Sequence, residues 1–191
     1  MSEKYYFATF VLSTFITLLH CQNFHFNFTT WDIKTFYNTS EAIWSLKSSG
    51  NTSAVCKVDI VRNISNSSVI FDRIYKWHGE RQNTSLEGTF TRLGVFSTSK
   101  GPFDAMLLHR PGGGLTQQTE ELVYQTSDRK CGVLKIRLLS GPAHSELRVL
   151  NSSVGNPNID CIRHFYQSFP NGTNVTTTYD GSCQEELRAE H

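Results

Sequence analysis

The sequence predicts an all-β fold, an eight-stranded antiparallel up-and-down β-barrel with an N-terminal helix and a C-terminal helix. Three observations lead there. Eight short runs rich in Val, Ile, Phe, Tyr and Thr follow one another, bounded by Gly, Asn, Ser and Pro clusters. Several runs alternate: Val55, Lys57, Asp59 and Val61 share one face against Cys56, Val58 and Ile60, and Lys135 and Arg137 oppose Leu134, Ile136 and Leu138. The competing immunoglobulin-type sandwich fails at its corner. Cys56, Trp77 and Cys131 give a loose Cys-Trp-Cys order, but the residue two before Cys131 is Arg129, where that fold requires Tyr. Closure into a barrel removes exposed edges and leaves an interior for one small ligand.

Taken in order, the chain opens with Tyr5 to Leu19, fifteen uncharged and mostly apolar residues. That length suits a secretory signal and falls short of the roughly 20 residues of a membrane span. Cleavage is expected near Cys21, which makes residues 1–21 a signal peptide and leaves 22–191 as one domain. A first helix is expected from Ser40 to Lys47, with Ser40 as cap, Ile43, Trp44 and Leu46 as its apolar contacts and Gly50 as its stop. Strands are expected over Ala54–Arg62, Val69–His78, Ser85–Arg92, Phe103–His109, Thr119–Thr126, Lys130–Leu139, Glu146–Leu150 and Val175–Tyr179. A second helix, Ile159 to Ser168, is closed by Pro170 and a turn at Asn171-Gly172. Gly112 to Gly114 reads as a loop at one end of the sheet.

Nine of the twelve asparagines lie in Asn-x-Ser/Thr sequons: Asn27, Asn38, Asn51, Asn63, Asn66, Asn83, Asn151, Asn171 and Asn174. Chance would place about two or three there. N-glycans form in the secretory pathway and only on exposed backbone, so this density predicts a secreted, extracellular glycoprotein. It also maps surface. Asn51 and Asn83 are expected just ahead of strands and Asn63 and Asn66 in the first strand-to-strand loop, while Leu86 to Leu150 has no sequon and is a candidate face for a protein partner. Loss of the leader leaves Cys56, Cys131, Cys161 and Cys183, an even number that predicts two disulfides with three possible connectivities. No cysteine or histidine spacing fits a metal site. The net charge of +1 gives no electrostatic reason to expect nucleic acid or an anionic membrane.

Enzyme signals are poor. Ser97-Thr98-Ser99-Lys100 matches a bare Ser-x-x-Lys pattern without its companion motifs, and the three glycines lack the Lys-Ser/Thr of a phosphate loop. His78, His109, His144 and His164 are scattered. No catalysis and no cofactor are expected. Candidate ligand-binding residues of a barrel interior are Trp44, Phe71, Tyr75, Trp77, Phe90, Phe96, Leu107 and Tyr124, large side chains on strand segments or, for Trp44, on the first helix.

Several segments resemble the salivary lipocalins of ticks, the histamine-binding-protein superfamily. These are Glu41-Ala42-Ile43-Trp44-Ser45-Leu46, Glu120-Glu121-Leu122-Val123-Tyr124 with Cys131-Gly132-Val133-Leu134-Lys135-Ile136, and Tyr179-Asp180-Gly181-Ser182-Cys183. The resemblance spans about residues 36–183 and implies the pairs Cys56–Cys183 and Cys131–Cys161. It also implies binding of a small host mediator, with immune or inflammatory modulation as the outcome. Amine-binding members resemble one another around Cys-Asp-Val, Glu-Leu-Trp or Glu-Leu-Tyr, and Cys. This chain keeps the spacing but has Gly132 where the acid stands and Arg148 where the aromatic stands, and both changes act against an ammonium ligand. Glu146, Asp72, Glu87 and Glu121 remain as possible carboxylates. The expected ligand is therefore a small hydrophobic one, a sterol, fatty acid or eicosanoid, as in the glycosylated, cholesterol-binding Japanin-like group. The alternatives are a biogenic amine (histamine or serotonin) or a protein-directed immune or complement inhibitor.

Overall fold

A computed structural model describes residues 31–93 and 101–185. The expected leader, Cys21, Asn27, Phe96 and the Ser97–Lys100 pattern lie outside the described residues. Helix α1 (Ile33–Tyr37) comes first, and Asp32 caps it by accepting from the backbone N–H of Lys34 and Thr35 at 3.0 and 3.4 Å. Eight strands follow: β1 (Ile43–Ser48), β2 (Ala54–Ile64), β3 (Ser68–Trp77), β4 (Glu80–Thr91), β5 (Ala105–His109), β6 (Gln118–Gln125), β7 (Cys131–Leu138) and β8 (His144–Leu150). Each pairs antiparallel with the next, and β1 pairs with both β8 and β2, which closes the barrel. Helix α2 (Ile159–Gln167) lies against the outside wall, followed by the two-residue strand β9 (Thr176–Thr177). Among the described residues, no helix is long and apolar enough to cross a membrane.

Two expectations are corrected here. The predicted helix Ser40–Lys47 is strand β1, and it supplies the eighth barrel strand that the sequence reading assigned to Val175–Tyr179. The reason is burial on both faces. Ile43 points into the barrel while Trp44 and Leu46 pack beneath the C-terminal segment, so the run lacks polar alternation and imitates a helical stripe. The second correction concerns two sequons. Asn63 lies within β2 and Asn83 within β4, not in loops. All eight sequon asparagines among the described residues are nevertheless exposed.

The C-terminal segment repairs the barrel seam. Strands β1 and β2 pair only at Ile43↔Asp59 and Trp44↔Val58, because β2 carries a bulge between Val55 and Val58. Beyond that point β9 takes over, pairing with Lys47 and Ser48. The Thr178 N–H donates to the Leu46 carbonyl at 2.9 Å, and the Cys56 N–H donates to the Thr178 carbonyl at 2.7 Å. The Cys56–Cys183 bond fastens this patch, and Cys131–Cys161 fastens α2 to the start of β7. These are the two pairs that the family resemblance implies.

Two apolar cores result. One fills the closed end of the barrel, where Ile33 and Phe36 of α1 plug against Phe71, Phe90, Met106, Leu108, Leu122 and Leu134. The other lies on the outside wall, where Trp44, Val58, Val133 and Val149 meet Cys161 and Phe165 of α2. At the opposite end, β3 and β4 join through His78-Gly79, both at positive φ (51° and 85°), the two-residue hairpin geometry that glycine favours.

Candidate functional site in the barrel

Inward positions are fixed by strand alternation. Val61, Phe71 and Leu134 belong to the inner core, so Lys57 and Asp59 on β2, Arg73 and Tyr75 on β3, Glu120 on β6, and Glu146 and Arg148 on β8 share that face. These side chains form a closed ionic layer across the middle of the barrel. Arg73 donates to both oxygens of Asp59 at 2.7 and 2.8 Å and its Nη1 reaches Glu120 at 2.9 Å. Arg148 makes a fork on Glu120 at 2.7 and 2.9 Å and a second on Glu146 at 3.0 and 2.7 Å, with Asp59 at 3.2 Å. Lys57 donates to Glu146. The Tyr37 hydroxyl, brought in by α1, lies 3.0 Å from Asp59 and 3.2 Å from Glu120 and accepts from Arg148.

Three carboxylates thus meet three cations, and the layer is neutral. Taking an ion out of water costs several kcal/mol, roughly repaid only when every charge is paired and hydrogen-bonded. The titration behaviour follows. Burial alone would raise the Glu120 carboxyl, but Arg148 and then Arg73 outweigh it and hold it at about 2. Burial acts the same way on Glu146, and Lys57 followed by Arg148 keeps it well below the usual carboxylate range. For Lys57 burial wins over Glu146, and its ammonium is held less firmly than an exposed one.

Above this layer, between the β3–β4 turn and the ends of β5–β6 and β7–β8, opens a cavity of about 380 Å³. Its walls are Tyr75, Trp77, Leu86 and Leu138, with Thr84, Gln117 and Gln118 as polar edges and Lys57 and Arg73 as floor. Asp59, Glu120 and Glu146 lie behind the two cations and do not line it. The side chains of Lys57 and Arg73 are 16% and 7% exposed, against 5% for Glu146 and 0% for Glu120. The cavity therefore meets the cationic side of a neutral network. Trp77 is 43% exposed, a large apolar surface at the entrance that a bound molecule would cover.

The sequence candidates divide three ways. Tyr75 and Trp77 line the cavity. Phe71 and Phe90 point inward but are buried in the closed-end core below the ionic layer. Trp44, Leu107 and Tyr124 do not face the interior, which corrects their assignment. Trp44 packs under the C-terminal segment, with its indole N–H donating to Asn151 at 2.9 Å and its ring 5.1 Å from Tyr179. Leu107 lies between the inward Met106 and Leu108, and so faces out. Tyr124 follows a bulge in β6 and stacks on His164 of α2 at 3.8 Å. Of the candidate carboxylates, Glu146 alone is inside; Asp72 pairs with Arg62 and Glu121 with Arg137 on the outer wall.

Lys57, Asp59, Arg73, Glu120 and Tyr37 are not among the residues that the sequence singles out as a site; for the first three a signal existed. The available signal was their spacing, since Lys57-x-Asp59-x-Val61 and Phe71-x-Arg73-x-Tyr75 put charge in register with apolar residues. The two departures from the amine-binding pattern also acquire a cause. A side chain at Gly132 would come within 3.0 Å of Leu122 and 3.1 Å of Phe36, so the α1 plug occupies the space an acid would need. Arg148 fills the centre itself.

No family model and no curated sequence matches the chain. Solved structures do match. The AM182–serotonin complex superposes with a TM-score of 0.59 at 18% identity, covering 81% of this chain and 94% of that one. Japanin from Rhipicephalus appendiculatus, bound to cholesterol, gives 0.52 at 14% identity over 76% and 96%. The siderocalin Ex-FABP, described as having dual ligand specificities, gives 0.51 at 9% identity over 74% and 93%. The closed barrel of this chain is the lipocalin fold.

Proposed function

We propose that this chain is a secreted, glycosylated lipocalin of the tick salivary type that sequesters a small host lipid acid and thereby damps host immune or inflammatory responses. Of the hydrophobic ligands expected from sequence, the cavity favours a fatty acid or eicosanoid over a sterol. One observation carries this: the aromatic and aliphatic walls end on Lys57 and Arg73, while their carboxylate partners are not part of the lining. An apolar chain would lie against Tyr75, Trp77 and Leu138, and a carboxylate would take charge-assisted hydrogen bonds from the floor. The volume is at the small end of ligand pockets, which span about 300–1,000 Å³. A flexible chain can leave part of itself at the entrance, whereas a rigid ring system cannot bend away from the ionic layer beneath.

Binding, not catalysis, is the activity this reading assigns. The exposed sequon asparagines, the two disulfides and the resemblance to tick salivary lipocalins support an extracellular site of action. Native mass spectrometry of the protein purified from eukaryotic cells, followed by organic extraction, tests the ligand class. The expected finding is a co-purifying carboxylic acid with a long apolar chain. Extraction of a sterol, or saturable uptake of histamine or serotonin by the purified protein, would overturn it.

A further inference from the structure

The barrel centre raises a question that the cavity does not answer: why three carboxylates and a tyrosine hydroxyl converge on one point. Asp59, Glu120, Glu146 and Tyr37 come from β2, β6, β8 and α1, and every one of them touches the same guanidinium. All three nitrogens of Arg148 are engaged, Nε and Nη2 with Glu146, Nη2 and Nη1 with Glu120, and Nη1 with Asp59 and Tyr37. Arg148 is completely buried, does not line the cavity, and enters from the strand that also carries Glu146. Arg73 differs: it borders the cavity, and among the described residues the carboxylates that hold it are Asp59 and Glu120.

We infer that the barrel centre is a cation-binding cage whose occupant is the chain's own Arg148, and that Arg148 is the residue that bars small organic cations from the barrel. With Arg148 in place the layer is neutral and has no uncommitted carboxylate for an ammonium or guanidinium ligand. Without it, the three carboxylates keep Lys57 and Arg73 as cations, with the His144 ring 3.6 Å from Glu146; with that imidazole neutral, one uncompensated negative charge is left around a void shaped for a planar, forked donor. Such a site selects guanidinium over ammonium, because only the planar fork can address Glu120 and Glu146 at once.

The test is chemical rescue of Arg148→Ala by n-propylguanidinium, which carries the guanidinium that the substitution removes. Thermal unfolding followed by circular dichroism is measured with n-propylguanidinium, n-propylammonium and the neutral n-propylurea, each at millimolar concentration. The variant should gain several degrees in Tm, saturably, with n-propylguanidinium preferred over both n-propylammonium and n-propylurea by about tenfold or more in half-saturation. The wild type should not shift. If Arg148→Ala does not fold alone, the readout becomes the yield of refolding against n-propylguanidinium concentration, and dependence on the cation supports the cage equally. A second variant, Arg148→Met with Glu146→Gln, restores charge balance with two acids against two cations. It should fold and ignore all three probes. The inference fails if Arg148→Ala responds no better to n-propylguanidinium than to n-propylurea. It fails equally if the balanced variant is rescued to the same extent, or if wild type and Arg148→Ala respond alike. Failure of Arg148→Ala to refold with any probe, while the balanced variant folds, also overturns it.

Discussion

The outer wall beneath α2 and the centre of the barrel invert the ordinary arrangement of a small soluble domain. Outside, Trp44, Val58, Val133, Val149 and Phe165 pack into an apolar cluster around the Cys131–Cys161 bond. Inside, six ionised side chains and a tyrosine occupy the middle of the barrel, between an apolar plug and a half-polar cavity. Apolar burial stabilises in proportion to area, at about 25 cal/mol per Å². A buried ion pair returns little beyond what its desolvation cost. In the proposed function, stability resides in the outside of the barrel and ligand discrimination in its inside. That division also explains how the interior tolerates charge, since the second core, two disulfides and the β9 patch supply stability that does not depend on the ionic layer.

The sharpest way to break this division is to weaken the outer wall. Trp44→Ala removes a fully buried indole that bridges β1 to the C-terminal segment, and it is expected to cost about 3–5 kcal/mol in urea unfolding. Ligand affinity of the folded variant should not change, because Trp44 is on the far side of the wall from the cavity. Loss of affinity with retained stability would return Trp44 to the interior and undo the comparison.

The inner layer makes its own contribution through pH. The Glu120 carboxyl titrates at about 2 in the folded chain against 4.5 for the unperturbed group. Between those values the unfolded chain binds more protons, so the stabilisation is complete above about pH 5 and is lost as pH falls toward the folded value. For Glu120 this amounts to about 3 kcal/mol, and Glu146, depressed in the same direction, adds to the same window. Urea midpoints should therefore fall steadily from about pH 5 downward. A flat profile to about pH 3 would mean that the ionic layer contributes nothing to folding.

At the entrance, the expected effect on stability is the smallest. Trp77→Ala should leave unfolding within about 0.5 kcal/mol of the wild type, since the indole is 43% exposed and ends a strand. Its effect on binding should be larger, with about a tenfold weaker Kd for a lipid acid measured by calorimetry. Unchanged affinity would move the ligand out of this cavity.

Much of this fold could be read from the chain, because β2 to β8 alternate or run apolar between clear turns, and α2 carries a cap at Asn158 and a stop at Pro170. Strand β1 was lost because both its faces are buried, which erases the period of two. Helix α1 was missed although Asp32 caps it and Ile33, Phe36 and Tyr37 recur at helical spacing; five residues are too few to announce a helix by pattern alone. The pocket was half legible. Tyr75 and Trp77 could be chosen by size and strand position, but size could not separate them from Trp44 and Tyr124, whose burial is against α2 and the C-terminal segment. The ionic layer was the least legible part. Its members lie on four strands and one helix, as far as 111 residues apart for Tyr37 and Arg148, and pairing across a closed barrel leaves no local trace.

The most direct test of the account compares two ligands that share a chain and differ in the sign of the head group. Isothermal calorimetry of the wild-type protein with decanoate and with decylammonium, at neutral pH and equal ionic strength, isolates the charge preference of the cavity. Decanoate should bind saturably and decylammonium at least about tenfold more weakly, with the preference lost in Lys57→Gln. Equal or tighter binding of decylammonium would contradict a cationic floor beneath the aromatic walls.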